Sequence, residues 1–371
     1  MTRKFLTALF CSLACISLSA QDFVYTDASG FHVYGKAIDN SFPQYGRLPE
    51  YLEAELAAVN RSPVWEHGGN SAGLYIRFRT DSPDIRARWT VTINRSMNHM
   101  TDTGCKGLDL YTLDGGVWRF AGSGRPSRER ENDQPLLEST DGTMREYMLY
   151  LPLYDGIEKL EIGIREGSVL AQSSVVWPLR KGKVVMYGTS ILQGGCASRP
   201  GMAFTSIISR RLGVEVVNLG FSGNGRLDYE IARLMAQVED PAVFVLDEVP
   251  NSHEEMVKSN GETFFRILRD AHPDVPVIFV ENALYPHMRY NKFFYRVVTD
   301  GNRAQKELFE KLRKAGEKRI YYVPADKLIG TDGEGTVDGV HFTDLGMMRY
   351  SDIPFLAFLA NTVPFLTSIV I

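Results

Sequence analysis

Apolar and polar positions alternate with period two through the first half of the chain, and the period lengthens in the second half. Leu74, Ile76 and Phe78 interleave with Tyr75, Arg77 and Arg79, and Ile85, Ala87, Trp89, Val91 and Ile93 with Arg86, Arg88, Thr90 and Thr92. That alternation predicts strands with one buried face. Residues 108–112 and 117–120 read as a further pair joined through Asp114-Gly115-Gly116, a sequence suited to a tight hairpin. Residues 147–153 and 160–164 continue the series with no long helical pattern between them. Residues 21–178 are therefore expected to form an all-β, jelly-roll-like antiparallel sandwich.

After Pro178 and the charged connector Arg180-Lys181-Gly182-Lys183 the pattern changes. Apolar runs at 184–187, 214–219, 242–246, 277–280 and 320–323 alternate with helix-period segments around 203–212, 229–238, 262–271 and 303–315. Runs that are apolar throughout mark strands buried on both faces, so residues 182–371 are expected to form a three-layer α/β domain on a five-stranded, flavodoxin-like parallel sheet. Reactive groups in such a domain belong at the carboxyl ends of the strands.

A length of 371 residues suits two domains, and a formal net charge of −4 gives no electrostatic footprint for nucleic acid. Residues 1–20 add an address: Arg3 and Lys4 precede an apolar centre at 5–18, and Ser19-Ala20 form a small-residue exit before Gln21. This is the pattern of an export signal, with an apolar centre too short to span a bilayer, and it places the mature chain in the periplasm or outside the cell. Ser12-Leu13-Ala14 ahead of Cys15 is a poor signal for lipid attachment. The apolar tail at 355–371 is interrupted by Asn361 and Pro364 and is read as a final packing helix, which leaves no integral membrane segment after cleavage. Of the four cysteines only Cys105 and Cys196 then remain, and the sequence leaves open whether they pair. No cysteine–histidine group has metal-ligand spacing and the seven histidines are scattered, so no metal and no cofactor is expected.

Four places carry candidate chemistry. In Asp338-Gly339-Val340-His341 a histidine stands three residues after an aspartate that can fix its tautomer. Ser190 follows the first apolar run in Gly188-Thr189-Ser190. Gly223 lies in the loop after the second run, and Asn251 in Asp247-Glu248-Val249-Pro250-Asn251 after the third. Singly, these read as a helix N-cap serine, a structural turn, a Pro-Asn turn and a surface histidine. Their order says more, because groups that each follow a different strand of one parallel sheet converge on one rim. A base-activated serine with backbone and amide donors for a developing oxyanion is the machinery of acyl transfer.

With these residues in place, the second half of the chain resembles the SGNH hydrolases, or GDSL esterases. The resemblance implies Ser190 as nucleophile, His341 as base oriented by Asp338, and the N–H groups of Ser190 and Gly223 with the Asn251 amide as oxyanion donors. Two departures stand: Thr189 occupies the position of the name-giving aspartate, and the third block lacks the usual Gly-x-Asn-Asp around Asn251, for which Asn224 and Asn282 are the alternatives. Gly107-Leu108-Asp109-Leu110-Tyr111 resembles the Gly-x-Asp-Leu-Tyr signature of a sandwich domain that precedes such hydrolases in exported Bacteroidetes proteins. Asp109 and Tyr111 are read as holding the sandwich together. The paired resemblance implies an exported serine esterase acting on a small-molecule or glycan ester, with removal of O-acetyl groups from carbohydrates as its expected activity. Lipid, aryl or thioester hydrolysis, and glycan binding without catalysis, are the alternatives.

Overall fold

The alternating half folds into two antiparallel sheets. Its strands are β1 (Phe23–Asp27), β2 (Val33–Tyr34), β3 (Tyr75–Thr80), β4 (Ile85–Val91), β5 (Leu108–Asp114), β6 (Val117–Gly124), β7 (Glu131–Leu137), β8 (Arg145–Tyr150), β9 (Ile157–Arg165) and β10 (Leu170–Gln172). One sheet runs β1-β9-β4-β7 and the other β10-β3-β8-β5-β6, with β2 beside β3. Ile76, Phe78, Ala87, Trp89, Leu110, Leu149, Leu160 and Ile162 are buried together in one apolar cluster. Asp114 pairs with Val117 across Gly115 and Gly116, whose φ values of 57° and 81° make the two-residue turn that matches strand twist. The computed structural model describes residues 22–352; the expected export signal at 1–20, with Cys15, and the expected packing helix at 355–371 lie outside them.

The second half builds a five-stranded parallel sheet from β11 (Lys183–Gly188), β12 (Glu215–Gly220), β13 (Pro241–Asp247), β14 (Val277–Val280) and β15 (Ile320–Val323), in the order β12-β11-β13-β14-β15. This is the expected flavodoxin-like order, and it puts the switch of winding direction at β11. Along β11, Val184 and Met186 face one apolar cluster while Val185 and Tyr187 face the other, which is why the strand reads as unbroken apolar sequence.

Three short helices belong to the first half: α1 (Leu52–Ala58), α2 (Ser62–Gly68) and α3 (Asp102–Lys106). Residues of α1 and α2 pack into the α/β core, where Leu52, Leu56 and Val64 join Val217, Leu219 and Ile231. The second half supplies α4 (Ser190–Gln193), α5 (Phe204–Leu212), α6 (Tyr229–Ala236), α7 (Val249–Ala271), α8 (Lys292–Lys314) and α9 (Asp344–Asp352). Both α7 and α8 begin earlier than the sequence periodicity suggests. In α8 Asn291 caps the start by accepting the Phe294 N–H at 2.9 Å, and in α7 a break at His253, with φ 52°, splits off the first turn. Among the described residues no helix is long and apolar enough to cross a membrane.

Candidate active site

β11 runs out at Gly188, and Thr189 caps α4 by accepting the Ile191 N–H on its hydroxyl. Ser190 therefore occupies the first helical position, where its own N–H has no intrahelical acceptor. Its Oγ lies 2.8 Å from His341 Nε2, and His341 Nδ1 lies 2.7 Å from Asp338 Oδ2. The other Asp338 oxygen accepts the backbone N–H groups of Val340 at 3.0 Å and His341 at 2.8 Å, which locks the carboxylate against the ring. Burial works to raise the Asp338 pKa, but the bonds from the His341 ring and these two N–H groups outweigh it and bring it to about 2. An ionised Asp338 at neutral pH holds the proton on Nδ1, so Nε2 is free to accept from the serine hydroxyl.

β12 ends at Gly220, and the loop 221–225 folds back onto the serine turn. A Cβ on Gly225 would stand 2.4 Å from the Gly188 oxygen, so the contact requires glycine. Gln193 holds the loop from the other side: its Oε1 accepts the Ser222 N–H at 3.0 Å, while its Nε2 donates to Asn70 Oδ1 and the Leu153 oxygen, each at 3.0 Å. Gly223 sits exposed at the tip with φ 68° and open space where a Cβ would go, so conformation and not crowding favours glycine. Asn251 lies in the first turn of α7, its Oδ1 accepting the Gly225 N–H at 3.3 Å, and Ser252 Oγ donates to the Gly225 oxygen at 3.0 Å. Neither Gly223 nor Asn251 bonds to Ser190; both are joined to it through this loop. With Oδ1 committed, the Asn251 amide has its Nδ2 end to offer a ligand. Of the alternative asparagines, Asn224 Oδ1 accepts from Arg61 at 3.2 Å, while Asn282 is tied to the Asn302 side chain through its backbone N–H and carbonyl.

The first half of the chain supplies parts that its sequence does not advertise. Tyr154 donates to the Ser190 carbonyl at 3.2 Å. Arg47, 1% exposed, donates to the carbonyls of His67, Asn70, Asn218 and Gly220, and so ties the end of β12 to the sandwich side. Asp109 and Tyr111 do more than hold the sandwich: Asp109 Oδ2 accepts Arg199 Nη1 and the Gly201 N–H, each at 2.7 Å, and Tyr111 Oη accepts Arg199 at 2.6 Å. The signature thus clamps the segment that leads away from the serine. Cys105 and Cys196 are both buried in one apolar cluster as free thiols. His99, Cys196 and His341, remote from one another in sequence, bring a potential ligand atom each to within 4.8 Å of the others. Spacing along the chain carries no trace of that grouping.

Two outcomes follow from this geometry. A Cβ on Gly195 would lie 3.0 Å from His341 Cδ2 and 2.9 Å from both Tyr154 Oη and the Ser190 oxygen. Gly195→Ala is therefore expected to displace the imidazole and lower turnover of any ester substrate by about 10- to 100-fold, in line with the cost of ångström-scale misplacement; steady-state kinetics at unchanged Tm read it, and a wild-type rate contradicts it. At the foot of the Asn251 turn, burial pushes the Glu248 carboxyl from its ordinary 4.5 up to about 7. A raised carboxyl favours folding in its protonated form, so this stability is complete below pH 4.5 and is lost as pH rises to about 7. The loss amounts to about 3 kcal/mol. Thermal unfolding across that range is expected to show a falling Tm that flattens in Glu248→Gln; an equal slope in both proteins contradicts it.

Residues 181–356 match the GDSL-like Lipase/Acylhydrolase family, and residues 23–170 match the GxDLY family, described as the N-terminus of Esterase SGNH hydro-type proteins. No curated protein matches the chain. Among solved structures, a GDSL-like lipase candidate from Bacteroides ovatus is similar over 92% of this chain and 98% of its own, with 34% identity and a TM-score of 0.85. The salicylyl-acyltransferase SsfX3 of a tetracycline biosynthetic pathway shares the fold at 19% identity and a TM-score of 0.70, over 94% of this chain and 99% of its own. A family two carbohydrate esterase from Cellvibrio japonicus shares it at 12% identity and 0.58, over 92% and 99%. The chain belongs to the GDSL-like, SGNH-type hydrolase family, with a GxDLY domain at its amino-terminal side.

Proposed function

We propose that the protein is an exported serine esterase that removes O-acetyl groups from carbohydrates. The observation that carries the chemistry is the unbroken hydrogen-bond chain from Ser190 through His341 to Asp338 at the switch point of the parallel sheet. Ser190 attacks the ester carbonyl as His341 Nε2 takes its proton, and His341 returns that proton to the leaving alkoxide. Water then attacks the acyl-enzyme, with His341 again as base, and releases the acid and free Ser190. Asp338 holds the tautomer and stabilises the imidazolium. The Ser190 and Gly223 N–H groups and Asn251 Nδ2 receive the oxyanion, the amide contributing about 3 kcal/mol to the barrier reduction.

A serine only 7% exposed suits a short acyl group. The sugar part of the reading draws on the fold shared with family two carbohydrate esterases, one of which is described in complex with cellohexaose. Export draws on the signal at residues 1–20. The lipase description of the Bacteroides ovatus structure favours a long-chain ester as the competing substrate. Release of acetate from O-acetylated xylo- and gluco-oligosaccharides, run beside octanoyl esters, separates the two. Faster release of acetate supports the carbohydrate reading; octanoyl turnover with inert acetylated sugars overturns it.

A further inference from the structure

The grouping of His99, Cys196 and His341 combines one thiol and two imidazoles, a donor set suited to zinc and ill suited to calcium or magnesium. Each member comes from a different part of the molecule: His99 from the sandwich half, Cys196 from the turn after α4, and His341 from the loop before α9. The His99 and His341 ring centroids lie 5.4 Å apart, and Cys196 Sγ sits 3.3 Å from the His99 carbonyl oxygen. His99 Nδ1 is bonded to Asn98 Oδ1 at 2.9 Å, which leaves Nε2 as its donor. His341 Nδ1 is held by Asp338, so its donor is also Nε2. A carboxylate behind a ligating imidazole is the arrangement that orients histidines on zinc. Metal–ligand distances of about 2.0 to 2.3 Å require the three donors to close by roughly 1 Å, within reach of side-chain rotation.

We propose that His99, Cys196 and His341 form a zinc-class cation site spanning the two halves of the chain, and that its occupancy reversibly inhibits the enzyme. Binding exchanges the Cys196 thiol proton for the metal: the S–H bond breaks, an S–Zn bond forms, and the proton goes to solvent. The His341 Nε2 lone pair passes from the Ser190 hydroxyl to the metal, so the serine loses its base. The three side chains leave the fourth position of the metal to water or to Ser190 Oγ. Binding takes the thiolate, so a cation with strong thiolate affinity is required to displace the proton, and affinity rises with pH. The inhibition rests on the esterase reading; the binding does not.

The test therefore has two readouts on the full-length protein. Titration with Co2+ as a coloured stand-in for zinc is expected to give a thiolate-to-cobalt charge-transfer band that is absent in Cys196→Ala and requires at least about tenfold more cobalt in His99→Ala. Zinc is expected to inhibit hydrolysis of an acetyl ester, with activity restored by chelator. Both variants keep hydrolysis without metal and need at least about tenfold more zinc for half-inhibition. Absence of the cobalt band in wild type overturns the site whether or not the protein hydrolyses esters. A band with zinc sensitivity unchanged in both variants overturns the inhibition.

Discussion

Ser190→Ala is expected to lower kcat/KM on an acetyl ester by at least about 10⁴-fold with the fold intact. Among the described residues its hydroxyl has one partner, His341 Nε2 at 2.8 Å, so the substitution removes the attacking atom and little packing. His341→Ala is expected to cost about as much. Because nucleophile and base act as one unit, the double variant is expected to be no slower than either single one, leaving only the oxyanion donors and substrate binding. Steady-state rates on a chromogenic acetyl ester measure all three; additive losses, or turnover retained in Ser190→Ala, contradict Ser190 as nucleophile and His341 as its base.

The largest effect on stability is expected at Arg47. Its guanidinium donates to His67 O at 2.6 Å, Gly220 O at 2.7 Å, Asn70 O at 2.9 Å and Asn218 O at 3.0 Å. Burial pulls its pKa down to about 9, which leaves it charged at neutral pH. Arg47→Met keeps much of the volume but removes a charged donor from all four carbonyls, of which His67 O keeps the Asn70 N–H at 3.1 Å, at a cost of about 4 kcal/mol. In a domain of this size that reads as a Tm lower by roughly 8 °C. Because Asn218 and Gly220 lead into the loop of Gly223, turnover is expected to fall as well. A Tm within about 2 °C of wild type, a fraction of that expectation, shows that the carbonyls find other partners.

Legibility followed the range of the interactions. The parallel strands were readable because burial on both faces favours apolar runs, unbroken at 184–187 within Lys183–Gly188 and in Val277–Val280. β7 was not, because Glu131–Leu137 is an edge strand with Asn132, Asp133 and Pro135 in it, and an edge carries neither full apolarity nor a need for every N–H. α1 and α2 escaped because each is seven residues long and is stabilised by packing into the core of the α/β half. Ser190 sits in a short local pattern at the end of β11, and Asp338 and His341 in one just before α9, and the structure joins them in one hydrogen-bond chain. Arg47, Tyr154 and His99 reach the same region only through tertiary approach, and nothing in their neighbours along the chain distinguishes them.

The identity of the nucleophile is tested most directly by covalent capture. Incubation of the protein with a fluorophosphonate, followed by intact mass and peptide mapping, is expected to give one phosphonyl adduct, located on Ser190. The adduct is expected to disappear in Ser190→Ala and to form at least about 10³-fold more slowly in His341→Ala, since the serine then lacks its base. An adduct on another residue, or ester hydrolysis that continues once Ser190 is fully modified, would contradict the serine mechanism.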